Sequence, residues 1–326
     1  MPKLKKEKSK RNEENGEIFF NVRKNMTFLD YIRSKFLLLI IPFEALQNYR
    51  KVYKNYFHVL FNHYRNNYPI NVKLKNGKIE NFRRRYQTRI VSLGIDNYCH
   101  FQNDILTIKN DHLPEIKFID SGENGDLYSV FFKEEYSFLP VENRVVIDIG
   151  SNIADSSIYF ALKGAKKVIG IEPLPKNYNQ AKKNIMINNL SNKILLINVG
   201  ISDKKGLIKI NSEKSGTTCF LEKDDNNGTD ITLMTLEDII RSENSDLVLK
   251  MDCEGYEYNA ILSTPNKILK KFSHIQIEYH FGYKNLKKKL EVCGFKVSVS
   301  KPQIGANLLS NKLRSYVGFI YAEQIR

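Results

Sequence analysis

Residues 145–161 read VVIDIGSNIADSSIYFA, and the fold is decided by how this stretch is read. Val145, Val146 and Ile147 form a short apolar run that ends in Asp148 and a glycine turn, after which Ile158, Ala161 and Leu162 recur at helical spacing. That pattern predicts a strand, a tight turn and a helix, the opening unit of a doubly wound sheet. Further along, a second apolar run, Val168 to Ile171, ends in Glu172, twenty-two residues after Gly150. A doubly wound nucleotide site places there the acid that holds ribose hydroxyls. A third run, Leu247 to Met251, leads into Asp252, Cys253, Glu254 and Gly255. Strands and helices alternate from Val145 onward, which implies an α/β, mostly parallel sheet with helices on both faces. The expected strands lie near 145–149, 168–172, 194–199, 247–252, 274–279, 295–300 and 316–323. The last follows its predecessor across a loop too poor in helix signal for a crossover, so it is expected to be antiparallel.

The turn residues select the ligand. A dinucleotide fingerprint needs glycine where this chain has Asn152 and Asp155, and the phosphate-cradling G-x-x-x-x-G-K-[ST] loop is missing. A carboxylate at Asp155 would also repel a phosphate at the helix start. The expected ligand therefore carries ribose but no phosphate, and S-adenosylmethionine fits. Glu172, followed by Pro173, accepts from both ribose hydroxyls; Asp148 sits near the cationic amino-acid end; the turn amides of Gly150, Ser151 and Asn152 receive the carboxylate. Asn198 and Gly200, which end the third strand, line the adenine pocket, with plain turn chemistry as the alternative.

The ordered set DIGSNIADSSIYFALKGAKKVIGIEPLP, NNL, NVGISDKKG, TLEDII, LVLKMDCEGYEYNAIL and IQIEYH resembles the FkbM family of S-adenosylmethionine-dependent methyltransferases, from about Arg144 to the C-terminus. Ala154 stands where that family more often has glycine. The resemblance implies a seven-stranded, Rossmann-like class I methyltransferase sheet and O-methyl transfer to a sugar, glycan or other small metabolite.

Methyl transfer to a hydroxyl needs alignment and a base. Asp252 and Glu254, at the carboxyl end of the fourth strand, are the first candidates, with Asp252 also near the cofactor. The bland alternatives are that Asp252 caps the next helix and that Glu254 pairs with Lys250 or another base. His280, closing the fifth strand beside Glu278, is the candidate proton acceptor. Asp252, Glu254, Glu278 and His280 also offer ligands to a divalent metal; that reading ranks behind metal-free chemistry because no spacing here is diagnostic.

The 326 residues carry 51 basic and 36 acidic side chains, net +15, split as +8 over residues 1–140 and +7 over the rest. Charge so diffuse predicts weak, non-specific nucleic-acid binding rather than a dedicated RNA module. Arg83, Arg84, Arg85 and Arg89, with Tyr86 among them, form the densest basic cluster, read as a solvated strand face rather than a phosphate grip. The alternatives to a small-molecule or carbohydrate acceptor are an RNA or protein methyltransferase that docks through the basic N-terminal region, and a non-catalytic cofactor-binding scaffold. Four scattered cysteines and no signal peptide suggest a cytoplasmic setting. The longest apolar run, Phe36 to Phe43, is too short for a transmembrane segment. Residues 1–16 read as a polar basic tail, residues 17–140 as an N-terminal α+β extension, and residues 141–326 as the catalytic domain. Within the extension, helices are expected near 26–41 and 43–64, a hairpin at Asn76-Gly77 with both turn residues at positive φ, and strands near 89–95, 105–108 and 127–132.

Overall fold

The computed structural model describes residues 25–37, 41–95, 97–119, 126–210, 228–243, 246–304 and 316–325. The expected tail, 1–16, and residues 211–227 of the polar interval after the third strand lie outside them.

The N-terminal region opens with three helices, α1 (Phe28–Leu37), α2 (Ile41–Val52) and α3 (Tyr56–Tyr64). The hairpin of β1 (Ile70–Lys73) and β2 (Ile79–Phe82) pairs Ile70 with Phe82 and Lys73 with Ile79. Its turn differs from the expected type. Only Gly77 has positive φ, at +95°; Gly77 N–H donates to Leu74 O and Leu74 N–H to Lys78 O, while Asn76 Oδ1 accepts from Lys78 N–H. One left-handed glycine after an ordinary turn closes this longer loop, so Asn76 need not adopt positive φ.

Two expected strands are helices: α4 (Arg85–Ser92) replaces the strand near 89–95, and α5 (Asp126–Phe131) the one near 127–132. Their buried residues, Tyr86, Ile90 and Val91 in the first and Leu127, Val130 and Phe131 in the second, recur at helical spacing. The arginine cluster thus lies at a helix start, and Tyr86, which is buried in the core, cannot stack on a base. Between these helices β3 (Cys99–Gln102), β4 (Ile105–Asn110) and β5 (Leu113–Ile119) form an antiparallel sheet.

The main sheet begins at β6 (Val145–Ile149), followed by α6 (Asp155–Leu162), β7 (Lys167–Ile171), α7 (Pro175–Ile187) and β8 (Ile194–Ile197). A small side sheet, β9 (Gly200–Ile201), β10 (Gly206–Ile210) and β11 (Thr229–Met234), and the short helix α8 (Leu236–Ile239) come next. Then follow β12 (Leu247–Met251), α9 (Glu257–Ser263), α10 (Asn266–Leu269), β13 (Phe272–Tyr279), α11 (Lys284–Val292), β14 (Phe295–Val299), β15 (Gln303–Ile304) and β16 (Tyr316–Gln324). The strand order is β14-β16-β13-β12-β6-β7-β8, with β16 antiparallel to both its neighbours, as expected. This is the doubly wound seven-stranded class I arrangement. The chain reverses direction across the sheet between β6 and β12, and ligands in such sheets bind beyond the carboxyl ends of the strands at that point.

Strand alternation sends Ile147, Ile169, Leu249 and Ile277 into one apolar layer and Val146, Val168 and Val248 into the other. The second layer is shared with Tyr86, Ile90, Leu106, Phe118 and Phe131, so the N-terminal region packs directly on the α6 side of the sheet. On the opposite side, Asn25 O accepts from the amides of Tyr283 and Lys284, and Met26 is buried in the first layer. No helix among the described residues is long and apolar enough to cross a membrane.

Candidate functional site

A cavity of about 690 Å³ opens at the carboxyl ends of β6, β7, β12 and β13, a size typical of small-molecule sites. Its floor follows from sheet register. Gly170, Asp148, Lys250 and Gln276 are successive partners across β7, β6, β12 and β13, so a lysine and an aspartate sit side by side inside the apolar sheet. Lys250 Nζ lies 3.1 Å from Asp148 Oδ1, donates to Gly150 O at 2.8 Å, and stands over the Tyr136 ring. Burial works against its charge, but Asp148, Asp252 and Asp155 hold it above the usual lysine range. Asp148 Oδ2 also accepts from Ser156 and Ser157.

The turn after β6 is forced by its surroundings. A Cβ on Gly150 would stand 1.7 Å from Asp252 O, and the backbone there is left-handed, with φ +77°. No residue but glycine lets the β6 and β12 ends approach so closely. Ala154 is also left-handed and fully buried, directly before α6.

Glu172, at the end of β7, is buried yet lines the cavity. Its Oε2 accepts from Asn152 N–H (3.0 Å), and its Oε1 from Leu174 N–H (2.9 Å) and Asn177 Nδ2 (3.4 Å). Burial pushes its pKa up to about 7 against the pull of these donors. Two carboxylate oxygens offer about four acceptor positions, so capacity remains for a ligand. Asn198 Nδ2 donates to Glu172 O and Pro173 O and so sets the loop that carries them.

The other end of the cavity is acidic. Asp126, Glu135, Asp252, Glu254 and Glu278 line it, with Tyr136, Lys133 and Lys301. Glu135 is raised to about 7 by burial and by the nearby Asp252 and Asp155, with Lys250 and Lys133 opposing. Glu254 is raised by burial, with His280 opposing. Burial together with neighbouring carboxylates also raises Asp126 and Glu278 well above the carboxylate range.

Of the residues read from sequence, Gly150, Asn152, Glu172, Pro173, Gly200, Asp252 and Glu254 line one cavity. Asp148, Ser151 and His280 are buried behind its wall, and Asn198 is exposed and does not line it. Asp148 is occupied by Lys250 and two serines rather than turned toward a ligand. His280 is buried: its Nδ1 is 2.9 Å from Glu257 Oε1, and its Nε2 is 3.4 Å from Glu254 Oε2 and 3.8 Å from Asp252 Oδ1. Burial disfavours its charge, but Glu257, Glu254 and Glu278 hold it protonated well above the usual histidine range. A free imidazole base, the role read from sequence, does not fit this setting. Tyr256, not Asp252, occupies the N-cap of α9, so the capping alternative fails; Glu254 does pair with a base, but that base is His280, since Lys250 pairs with Asp148.

Sequence reading missed Asp126, Glu135 and Tyr136, which lie outside the motifs, and Glu257. A lysine inside the apolar run LVLKM was a usable signal for Lys250, since buried lysines need partners.

The residues fit S-adenosylmethionine. Glu172 has spare acceptor capacity, Asn152 Oδ1 is buried without a partner among the described residues and lies on a cavity-lining residue, and the acidic lining suits a cationic ligand. Asp155 lines the cavity at the start of α6, where a pyrophosphate would need open positive potential.

Residues 148–297 match the family described as the methyltransferase FkbM domain. A 41-residue stretch is 46% identical to Uncharacterized protein 158B of Sulfolobus islandicus rod-shaped virus 1; it is 13% of this chain and 26% of that protein, so the match spans about a quarter of the relative. Similar solved structures include precorrin-6y C5,15-methyltransferase from Geobacter metallireducens (TM-score 0.35, 13% identity, 59% of this chain and 87% of that one). The METTL16 MTase domain is another (0.43, 13%, 77% and 85%), as is Trm5b from Pyrococcus abyssi (0.39, 11%, 69% and 58%). Residues 148–297 thus carry a methyltransferase FkbM domain on a class I sheet, and its cofactor is S-adenosylmethionine.

Proposed function

We propose that the chain is an O-methyltransferase acting on a hydroxyl of a sugar, glycan or other small metabolite. The observation that carries this reading is the acidic acceptor end. Five acidic side chains, from Asp126, Glu135, Asp252, Glu254 and Glu278, line it; their oxygens accept hydrogen bonds from hydroxyls in either protonation state, and those that stay ionised repel a phosphate backbone. An RNA acceptor is disfavoured for the same reason.

When bound, S-adenosylmethionine supplies a methyl group on a cationic sulfur, which the acceptor oxygen takes while the bonding pair stays with sulfur. Glu172, with Asn152 and Pro173 beside it, holds the ribose end. Asp252 and Glu254 accept from the acceptor's hydroxyls and orient the one that reacts. Glu135, with its pKa near neutrality, takes the hydroxyl proton, because a base matched to the working pH combines the right protonation state with driving force. Tyr136 supplies a flat apolar wall. The region before residue 141 thereby contributes directly to the site, and residues 141–326 supply the cofactor end.

Transfer of labelled methyl from S-adenosylmethionine into fractionated extract, sorted into carbohydrate, RNA, protein and small-molecule pools, tests this. Label in alkali-stable methyl ethers of carbohydrate or a hydroxylated metabolite is the expected result. Label in RNA, or on amine nitrogen, overturns it.

A further inference from the structure

Beneath the acceptor end, three side chains from two strand ends converge in a way that methyl transfer to a hydroxyl does not by itself require. Asp252 Oδ1, Glu254 Oε2 and His280 Nε2 lie within 4.8 Å of one another. The imidazole nitrogen makes no hydrogen bond among the described residues and stands 3.4 Å from Glu254 and 3.8 Å from Asp252. Ligand atoms held about 2.1 Å from one ion stand roughly 3.0–3.5 Å apart, so a small contraction would bring these three onto a single cation.

Two further features are independent of that spacing. First, the imidazole is oriented from behind: Glu257, fully buried, places Oε1 at 2.9 Å from Nδ1 and at 3.1 Å from the His280 amide. Its Oε2 accepts from Gly255 N–H at 2.8 Å, so one carboxylate ties both ligand-bearing segments together. A carboxylate on Nδ1 keeps the proton there, so an entering cation displaces the Nε2 proton of the imidazolium and takes that lone pair, the usual support of a metal-bound histidine. Second, Glu254 has left-handed backbone, φ +53°, and is followed by Gly255 at φ +106°. A non-glycine residue held there costs free energy that the surrounding structure must offset, and the turn sets the Glu254 carboxylate against His280 and Asp252.

We propose that Asp252, Glu254 and His280 form a divalent metal site, with Glu257 as the residue that positions His280. Two carboxylates and one imidazole suit Mn²⁺ or Mg²⁺, with the nitrogen ligand favouring Mn²⁺. Cys253 does not join the set; its thiol is turned to Glu257, 3.7 Å away. Asp252 and Glu254 line the cavity, so an ion here has open positions toward the acceptor. The role of the ion rests on the hydroxyl reading above: it would bind the reacting oxygen and ease loss of its proton to Glu135. The existence of the site does not depend on that reading.

The test uses the full chain with Mn²⁺ alone, followed by calorimetry and pulsed electron paramagnetic resonance. One saturable Mn²⁺ per chain at submillimolar concentration, showing ¹⁴N coupling from a bound imidazole, is expected. Glu254→Gln and His280→Gln should each weaken Mn²⁺ by at least about 10- to 100-fold, and His280→Gln should abolish the nitrogen coupling. Asp126→Asn, which replaces an acidic group of the same wall outside the triad, should change affinity less than about threefold if Asp252, Glu254 and His280 are the ligands. Where a variant unfolds, the nitrogen coupling of the unaltered chain still decides the matter. No saturable binding, or binding without nitrogen coupling, overturns the site. S-adenosylhomocysteine affinity measured in chelator separates the two readings. A chelated chain that binds cofactor and methylates at an undiminished rate removes the ion's role but keeps the hydroxyl reading; bound Mn²⁺ without methyl transfer to any hydroxyl does the reverse.

Discussion

The end of the cavity proposed for the cofactor is drawn from two short segments, Gly150–Ser156 and Glu172–Asn177, each directly after a strand of the main sheet. The end proposed for the acceptor takes its lining from Asp126–Tyr136, from the turn after β12, from Glu278 and from residues 300–303 and 317–319. In the first, the Glu172 carboxylate accepts from two amides, and its loop is tied to Asn198. In the second, carboxylates are crowded with few cations among them, and their pKa values rise accordingly. A hydrogen-bonded end is suited to holding a constant ligand in one pose, whereas a crowded, partly neutralised end can change protonation as an acceptor arrives.

The largest effect should come from the acceptor end. Glu135→Gln is expected to lower turnover by about 100- to 10,000-fold while S-adenosylhomocysteine affinity stays within a few-fold. A matching loss of cofactor affinity would show that the two ends are not separable. Next, Glu172→Ala should weaken cofactor binding by about 1.5–3 kcal/mol and leave the acceptor KM unchanged. Calorimetry that finds full affinity would move the ribose end elsewhere.

A pH titration probes both ends at once. Glu172 is raised to about 7 in the folded chain, so its ionised form is lost on going below neutrality, and cofactor affinity should fall by up to about tenfold per pH unit there. Glu172→Gln should flatten the profile. Stability runs the other way: a carboxylate with a raised folded pKa favours folding below its unfolded value, and the advantage is lost as pH rises through about 7. The ligand-free chain should therefore melt at a higher temperature near pH 5 than near pH 8; the opposite order would mean that Glu172 and Glu135 are ionised without cost. The smallest effect expected is from Asn198→Ala, which removes two bonds to the backbone carrying Glu172 and Pro173 and should cost about 1 kcal/mol of cofactor affinity, measurable by the same calorimetry.

Local pattern was enough for much of this protein. Apolar runs that end in Asp148, Glu172 and Asp252 determined the strands, the parallel sheet and its cofactor edge, because strand ends, turn glycines and the helix after them are neighbours in the chain. The antiparallel last strand followed from the lack of a crossover signal. Asn152 and Asp155 in place of glycines sufficed to turn the reading away from a dinucleotide. Where periods were short the reading failed: Leu127, Val130 and Phe131 are equally a strand fragment and one face of a six-residue helix, and packing against α6 and β5 settled which. Only tertiary structure could decide which acids meet. Asp148, legible as a site residue, is turned to Lys250 by sheet register. Asp126 and Glu135, silent in sequence, reach the acceptor wall because the N-terminal region shares an apolar layer with α6. His280 changes from a base to a cation in the ion-free chain because Glu257, Glu254 and Glu278 act on it. A side chain's charge state depends on burial and on neighbours distant along the chain, and sequence spacing does not report either.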